Sequence, residues 1–176
     1  MNYATIKPID VANGPGVRVS LFVSGCTHHC KGCSNSEAWD FNYGKPFEKQ
    51  AEEEIFSALS PDYIEGFSLL GGEPFEPQNQ ETLLPFLRKL KDKFPNKSIW
   101  CYSGYSFEDI VAGKVGDKLT AMSMLSLIDI LVDGEFIEEQ KDLHLRFRGS
   151  ANQRVIDVKK SLRSDSIVFW DDELYI

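Results

Sequence analysis

The chain has 176 residues, 42% hydrophobic and 26% charged, and its 27 acidic against 19 basic side chains give a formal net charge of −8. That length suits one domain with a continuous core, and neither a repeat nor a Pro/Ser-rich linker divides it. The acidic balance argues against nucleic acid and anionic membranes as partners, and no apolar run approaches the ~18 residues of a membrane span.

The opening residues, Met-Asn-Tyr-Ala-Thr-Ile-Lys-Pro-Ile-Asp, lack the basic and apolar regions of a secretory signal, so a cytoplasmic location is expected. Asn13-Gly-Pro-Gly16 is turn chemistry. Val17, Val19, Leu21 and Val23 then alternate with Arg18, Ser20, Phe22 and Ser24, the period of a strand that delivers the chain to a loop. That loop, Ser24-Gly-Cys-Thr-His-His-Cys-Lys-Gly-Cys-Ser-Asn35, holds Cys26, Cys30 and Cys33, three of the four cysteines.

A helix is expected over 47–59, with Ala51, Ile55, Ala58 and Leu59 on one face and Ser60-Pro61 as its stop. Phe67-Ser-Leu-Leu70 reads as a strand ending in Gly71-Gly72. The stretch 80–94 reads as a helix with Leu83, Leu84, Leu87 and Leu90 as its buried stripe. Ser98-Ile-Trp-Cys-Tyr102 is a third strand, ending in Ser103-Gly104. Ser106 is placed to cap a helix through Val111, and 119–127 has the pattern of another amphipathic helix. Ile128-Asp-Ile-Leu-Val132 is a fourth strand, ending in Asp133-Gly134. Val155-Ile-Asp-Val158 is a last strand or a helix entry, and a short acidic tail containing Asp171-Asp-Glu173 starts at about 164.

This alternation predicts an α/β protein, an open partial (β/α) barrel of about five or six mostly parallel strands forming one domain over 1–176. Four strands end in the cysteine loop, Gly-Gly-Glu-Pro, Ser-Gly-Tyr and Asp-Gly, which places one site at one rim of the sheet.

Soft thiolates select zinc, copper(I) or iron–sulfur clusters. In a 4Fe-4S cluster three cysteines leave one iron open to a non-protein ligand, and an open iron can react. The spacing alone leaves two other readings. One is a zinc-stabilised binding module with His28, His29 or Cys101 as fourth ligand, although zinc sites usually show two separated ligand pairs. The other is a ferredoxin-like electron carrier with Cys101 as fourth thiolate. Cys101 sits within a strand and reads as a small buried apolar residue, His28 and His29 as polar loop groups, and His144 has no evident partner. Glycines at 71 and 72 let backbone approach a ligand, and Glu73 would complement an ammonium group, though such pairs also mark ordinary turns. Arg146, Arg148 and Arg154, with Lys159 and Lys160, are either a solvated face or a docking surface.

The spacing Cys26-x-x-x-Cys30-x-x-Cys33 resembles the signature of the radical S-adenosylmethionine enzymes. A longer set of segments narrows the resemblance: Asn13-Gly-Pro-Gly-Val-Arg-Val-Ser-Leu-Phe-Val-Ser-Gly-Cys26, Gly71-Gly-Glu-Pro74, Val132-Asp-Gly134 and Arg148-Gly-Ser-Ala-Asn-Gln153. Together, up to about Leu162, they are similar to the glycyl radical enzyme activases that serve anaerobic (class III) ribonucleoside-triphosphate reductase. The resemblance implies a 4Fe-4S cluster on Cys26, Cys30 and Cys33, with S-adenosyl-L-methionine chelating the open iron through its amino and carboxylate groups. It assigns the cofactor to Gly32, Cys33 and Ser34 on the loop, to Gly71, Gly72 and Glu73 at the methionyl amino group, and to Ser103 and Asp133 elsewhere on the ligand. Gly32 departs from the aromatic residue that many of these enzymes carry before the third cysteine, so the loop backbone is left as the contact to adenine.

The implied reaction is one-electron reductive cleavage of S-adenosylmethionine, giving methionine and a 5′-deoxyadenosyl radical that takes hydrogen from a glycine of the reductase. The implied partners are that reductase and an external reductant such as flavodoxin, with room for a homodimer. An activase of another glycyl radical enzyme such as pyruvate formate-lyase, or a compact radical enzyme acting on a small heterocycle, stays open.

Overall fold

The computed structural model describes residues 1–171. Its strands are β1 (Asn2–Asp10), β2 (Val17–Val23), β3 (Lys45–Pro46), β4 (Ile64–Gly71), β5 (Ser98–Ser103), β6 (Ile130–Asp133) and β7 (Arg154–Asp157). Its helices are α1 (Lys49–Leu59), α2 (Pro77–Lys93), α3 (Phe107–Val111), α4 (Lys118–Leu127) and α5 (Val158–Ser164). The strands form one open sheet in the order β3-β1-β2-β4-β5-β6-β7.

The middle of this sheet is what the alternation predicts. β2, β4, β5 and β6 are parallel neighbours, each joined to the next through helix on one face. The flanks differ from the expectation: β1 runs antiparallel to β2 and to β3, and β7 antiparallel to β6. The sheet is therefore mixed and has seven strands, not five or six. β1 escapes the sequence pattern because most of it is half-buried or exposed, and its pairing shifts register between Lys7 and Asp10, around Pro8.

One face of the sheet packs on the helices. Val19, Leu21, Val23, Phe67, Leu69, Ile99 and Leu131 are fully buried there against Ile55 and Leu59 of α1, Leu83 and Leu87 of α2, and Met124 and Leu125 of α4. Each such side chain contributes about 1.5–3 kcal/mol by leaving water. In α2 the buried stripe is Leu83, Phe86, Leu87 and Leu90, with Leu84 only half-buried, and Pro77 opens the helix where a proline is tolerated. Ser106 caps α3 by accepting from the Asp109 N–H, as expected.

The opposite face carries a second apolar cluster, in which Trp100, Ile130 and Val132 are joined by Tyr102, Phe147, Val155 and Trp170. Trp100 meets Trp170 edge-on with ring centroids 5.0 Å apart, and Phe169 bridges to Ile156. The chain after 164 is thus not all solvated tail, because Trp170 packs on the sheet. Asp171 is exposed, and the remainder of the expected acidic patch, Asp172 and Glu173, lies outside the described residues.

On this same face Arg18 of β2 is fully buried. Its Nε donates to Ser68 Oγ at 2.8 Å, Nη2 to the carbonyls of Phe67 (2.9 Å) and Ser98 (3.0 Å), and Nη1 to Ser98 Oγ (3.1 Å). Ser68 Oγ in turn donates to the Asn13 carbonyl, so the guanidinium ties three strands to the Asn13–Gly16 turn.

Asp129, just before β6, is a second tie. Its Oδ2 accepts from Lys91 Nζ of α2 and from the Ile99 N–H of β5, both at 2.7 Å, and Lys159 of α5 pairs with Oδ1. Burial raises its pKa, but the Lys159 and Lys91 hydrogen bonds outweigh that and hold it below the usual 3.8. A depressed carboxylate stabilises the fold above its unfolded pKa and loses that contribution as pH falls through the folded one. Asp129→Asn should therefore cost about 2 kcal/mol at pH 7. The wild-type advantage in urea-melt midpoint should shrink below pH 4, and a difference that stays constant down to pH 2 would contradict this assignment.

Candidate metal and cofactor site

A cavity of ≈ 530 Å³ opens at the C-terminal ends of the parallel strands, where ligand sites in α/β folds gather. Cys26, Cys30 and Cys33 all line it, as do Gly32, Ser34, Gly71, Gly72, Glu73 and Ser103. Of the residues that the resemblance assigns to the cluster and cofactor, Asp133 alone does not; its neighbour Gly134 lines the wall instead. The thiols share the cavity without being drawn to one point. Among the described residues no three His, Cys, Asp or Glu side chains stand close enough together to hold a metal ion.

The loop is shaped by glycine where β2 ends. Gly25 has φ +97°, and a Cβ there would sit 2.3 Å from the Phe41 ring. Its N–H donates to the Ala38 carbonyl at 2.7 Å, and its own carbonyl accepts from the Glu73 N–H at 2.8 Å. Gly71, at φ +109°, is packed so tightly on β2 that a Cβ would lie 2.7 Å from the Val23 backbone. The Gly71-Gly72 pair therefore lets two neighbouring strand ends touch, which brings the cysteine loop over the end of β4.

Two carboxylates then clamp that loop. Glu73 is 1% exposed. It accepts from the Phe75 N–H (2.8 Å), Ser103 Oγ (2.8 Å) and the Gly104 N–H (2.7 Å), and it meets His28 Nε2 at 3.0 Å. Glu76 Oε1 accepts from the Thr27 N–H (2.7 Å) and Thr27 Oγ1 (2.6 Å). Sequence reading had Glu73 as a partner for a ligand ammonium; the protein's own donors surround it, and they join the ends of β4 and β5 to the cysteine loop. Glu76 and His28 were not read as site residues, since their partners lie about fifty positions away. Glu76 does fall three residues after Glu73 in the Gly71-Gly-Glu-Pro-Phe-Glu76 run, the one local hint.

Burial pulls the His28 ring toward its neutral form, but hydrogen bonds to Glu73 and Glu135 outweigh this and push it up to about 9. Burial also pushes the Cys26 thiol up to about 11, helped by the charges of Glu73 and Glu76, and raises Cys30. Such thiols stay protonated by themselves; a coordinated metal deprotonates them.

Asp133 is turned to other work. Its oxygens accept from Arg154 Nε (2.9 Å) and Nη2 (2.5 Å) and from the Phe107 N–H (2.7 Å). Arg154 lies directly opposite it across the β6–β7 pair and also binds Glu108. One of the three arginines of the basic cluster is therefore a fold element. Cys101 is fully buried between the sheet and the helices and does not line the cavity. His29 stacks on Trp39, and His144 finds Asp142 at 3.0 Å. The fourth ligands that a zinc module or a ferredoxin-like carrier would need are thus engaged or elsewhere.

Comparison with known proteins bears on the same residues. The family model of a 4Fe-4S single cluster domain matches residues 12–156. An anaerobic ribonucleoside-triphosphate reductase-activating protein of Haemophilus influenzae is 46% identical over 155 residues, covering 87% of this chain and 96% of that one. The protein of the same name in Escherichia coli K12 is 41% identical over 157 residues, covering 88% and 97%. This chain belongs to the anaerobic ribonucleoside-triphosphate reductase-activating proteins. A phage T4 member of the family is also 41% identical, over 155 residues, covering 88% of this chain and 93% of its own. Membership of a 4Fe-4S family agrees with the donor set of the cavity, three sulfurs and no fourth cysteine. No helix among the described residues is long and apolar enough to cross a membrane.

Proposed function

We propose that this activating protein generates a glycyl radical in an anaerobic ribonucleoside-triphosphate reductase, with a 4Fe-4S cluster on Cys26, Cys30 and Cys33 and S-adenosylmethionine bound beside it. The observation that carries the reading is the shared cavity: three cysteines of one loop face the Gly71-Gly72 turn and Ser103 at the ends of parallel strands. The open sheet then corresponds to a partial barrel of the radical S-adenosylmethionine type. When bound and reduced by one external electron, the cofactor pair supplies carbon–sulfur cleavage to methionine and a 5′-deoxyadenosyl radical able to take hydrogen from a glycine Cα.

The chain's own residues fix geometry. The backbone of Gly32 to Ser34 would hold the adenine, and Gly71, Gly72 and Glu73 would hold the methionyl amino group. Ser103 stands beside them through its bond to Glu73. Asp133, held by Arg154, acts from behind the wall by fixing the end of β6 next to Gly134. An external electron donor such as a flavodoxin, and a homodimeric assembly, belong to the same reading.

Anaerobic reconstitution tests it. Iron and sulfide near four each per chain, reductant-dependent cleavage of S-adenosylmethionine, and a glycyl radical signal in electron paramagnetic resonance after mixing with the reductase are expected. Stoichiometric zinc without cleavage would end the reading. A radical signal with pyruvate formate-lyase and none with the reductase would replace the target.

A further inference from the structure

The strap that links β6 to β7, residues 134–153, passes the cysteine loop as it leaves β6 and is pinned there by its own far end. Asn152 Nδ2 donates to the Glu135 carbonyl at 2.8 Å, and Gln153 Nε2 to the Gly134 carbonyl at 2.9 Å. Gln153 Oε1 in turn accepts from the N–H groups of Gly149 (2.8 Å) and Ser150 (3.1 Å), and Ser150 Oγ accepts from the Ile137 N–H at 3.2 Å. The polar side chains of the Arg148-Gly-Ser-Ala-Asn-Gln153 run thus close the strap on itself and fix the course of residues 134–137.

From that course Glu135 reaches the stretch between the first two cysteines. Its Oε1 stands 2.9 Å from His28 Nδ1, while the other ring nitrogen, Nε2, meets Glu73 Oε2 at 3.0 Å. Two carboxylates, 45 and 107 positions away in the chain, therefore grip one ring from both sides. The ring also packs edge-on to Tyr105, with centroids 4.4 Å apart, and against Gly104, where a Cβ would lie 2.6 Å from it. Glu135 is exposed, but the His28 side chain is only 9% exposed, so one end of the bond is packed in place.

What the grip holds is an uncommon turn. His29 has φ +50°, in the left-handed region, and a residue with a side chain stays there only where its surroundings over-determine it. Stacking on Trp39 holds His29 itself, and the two carboxylates hold the residue before it. Cys30 follows directly, so the turn sets where its thiol stands relative to Cys26. A further contact of the strap is weaker: Lys31 pairs with Glu138 at 3.0 Å, but with 79% and 42% of their side chains exposed such a pair contributes little.

We propose that Glu135 is a positioning residue for the cluster loop: bonded to His28 opposite Glu73, it holds the 28–30 turn and thereby slows the loss of a cluster from Cys26 and Cys30. This rests on the cluster assignment made above and gives the strap a part in keeping the cluster.

The test compares the full chain, reconstituted anaerobically, as wild type, Glu135→Ala, Glu135→Gln and Glu138→Ala, with a ferrous-iron chelator drawing iron from the cluster. Partners bonded directly to a metal ligand are typically worth about 10- to 100-fold in metal affinity. Because Glu135 acts through His28, its alanine variant should lose iron roughly three- to tenfold faster than wild type. Glu135→Gln keeps an oxygen able to accept from His28 Nδ1, so its rate should return to within about twofold of wild type, and Glu138→Ala should stay as close. Melting midpoints of the reconstituted proteins should agree within about 2 °C, because only exposed carboxylates are changed. Iron loss from Glu135→Ala at the wild-type rate overturns the proposal. So does a Glu135→Gln rate as fast as that of Glu135→Ala, which would assign the effect to charge, or an equally fast Glu138→Ala, which would make it general to the strap's acids. A midpoint lowered further in Glu135→Ala overturns it too, by making the role one of overall stability. Wild-type protein that never takes up iron and sulfide would instead remove the cluster assignment, and the proposal with it.

Discussion

Replacing any one of Cys26, Cys30 or Cys33 by alanine is expected to abolish reductive cleavage, a loss of about a thousandfold or more, and to leave iron well below the wild-type content. The three thiols are the only cysteines lining the cavity. Each would hold a different iron, so none can stand in for another. Folding should be little affected, because the loop is anchored independently by Thr27 to Glu76 and by His28 to Glu73. The informative control is Cys101→Ala. Cys101 lies in the core away from the cavity, so this variant should keep its iron and its cleavage rate. A cluster lost from Cys101→Ala and retained in Cys33→Ala would sink the assignment and return a four-cysteine carrier to contention.

The largest expected effect on stability is at Arg18. Arg18→Met keeps much of the bulk but removes every donor, leaving the carbonyls of Phe67 and Ser98 and the Ser68 hydroxyl without their buried partner. Loss of a buried, fully bonded charge of this kind costs about 3–5 kcal/mol. At 2–4 °C per kcal/mol for a chain of this size, the melting midpoint should fall by about 10 °C. Arg18→Lys should recover only part of it, because an ammonium carries three donors where the guanidinium carries five in a fixed fork. Differential scanning calorimetry under anaerobic conditions decides. A fall below 2 °C for Arg18→Met would mean that the tie between strands and turn is incidental.

How much was legible depended on how local each signal is. The parallel middle of the sheet and its helices could be read because buried strands and amphipathic helices write their period into consecutive residues. Val19, Leu21 and Val23 show this, as do Leu83, Leu87 and Leu90. β1 could not, since Asn2–Asp10 takes its strand character from pairing with β2 and not from a buried stripe. The cysteine loop was legible because spacing and ligand chemistry coincide. Asp133 was read as a ligand contact from its strand-end position, whereas the Arg154 that claims it becomes visible only when β7 folds back antiparallel to β6. Glu73 shows the same limit. Its charge and place were apparent, but its donors come from three separate segments of chain.

The strap between β6 and β7 carries one wall of the cavity, while the sheet and the cysteine loop carry the other. The two walls are therefore held differently, one by the parallel strands and one by a segment hung between β6 and the edge strand β7. Substitutions in residues 134–153 would reshape the cavity while leaving in place the parallel strands that carry the cysteine loop.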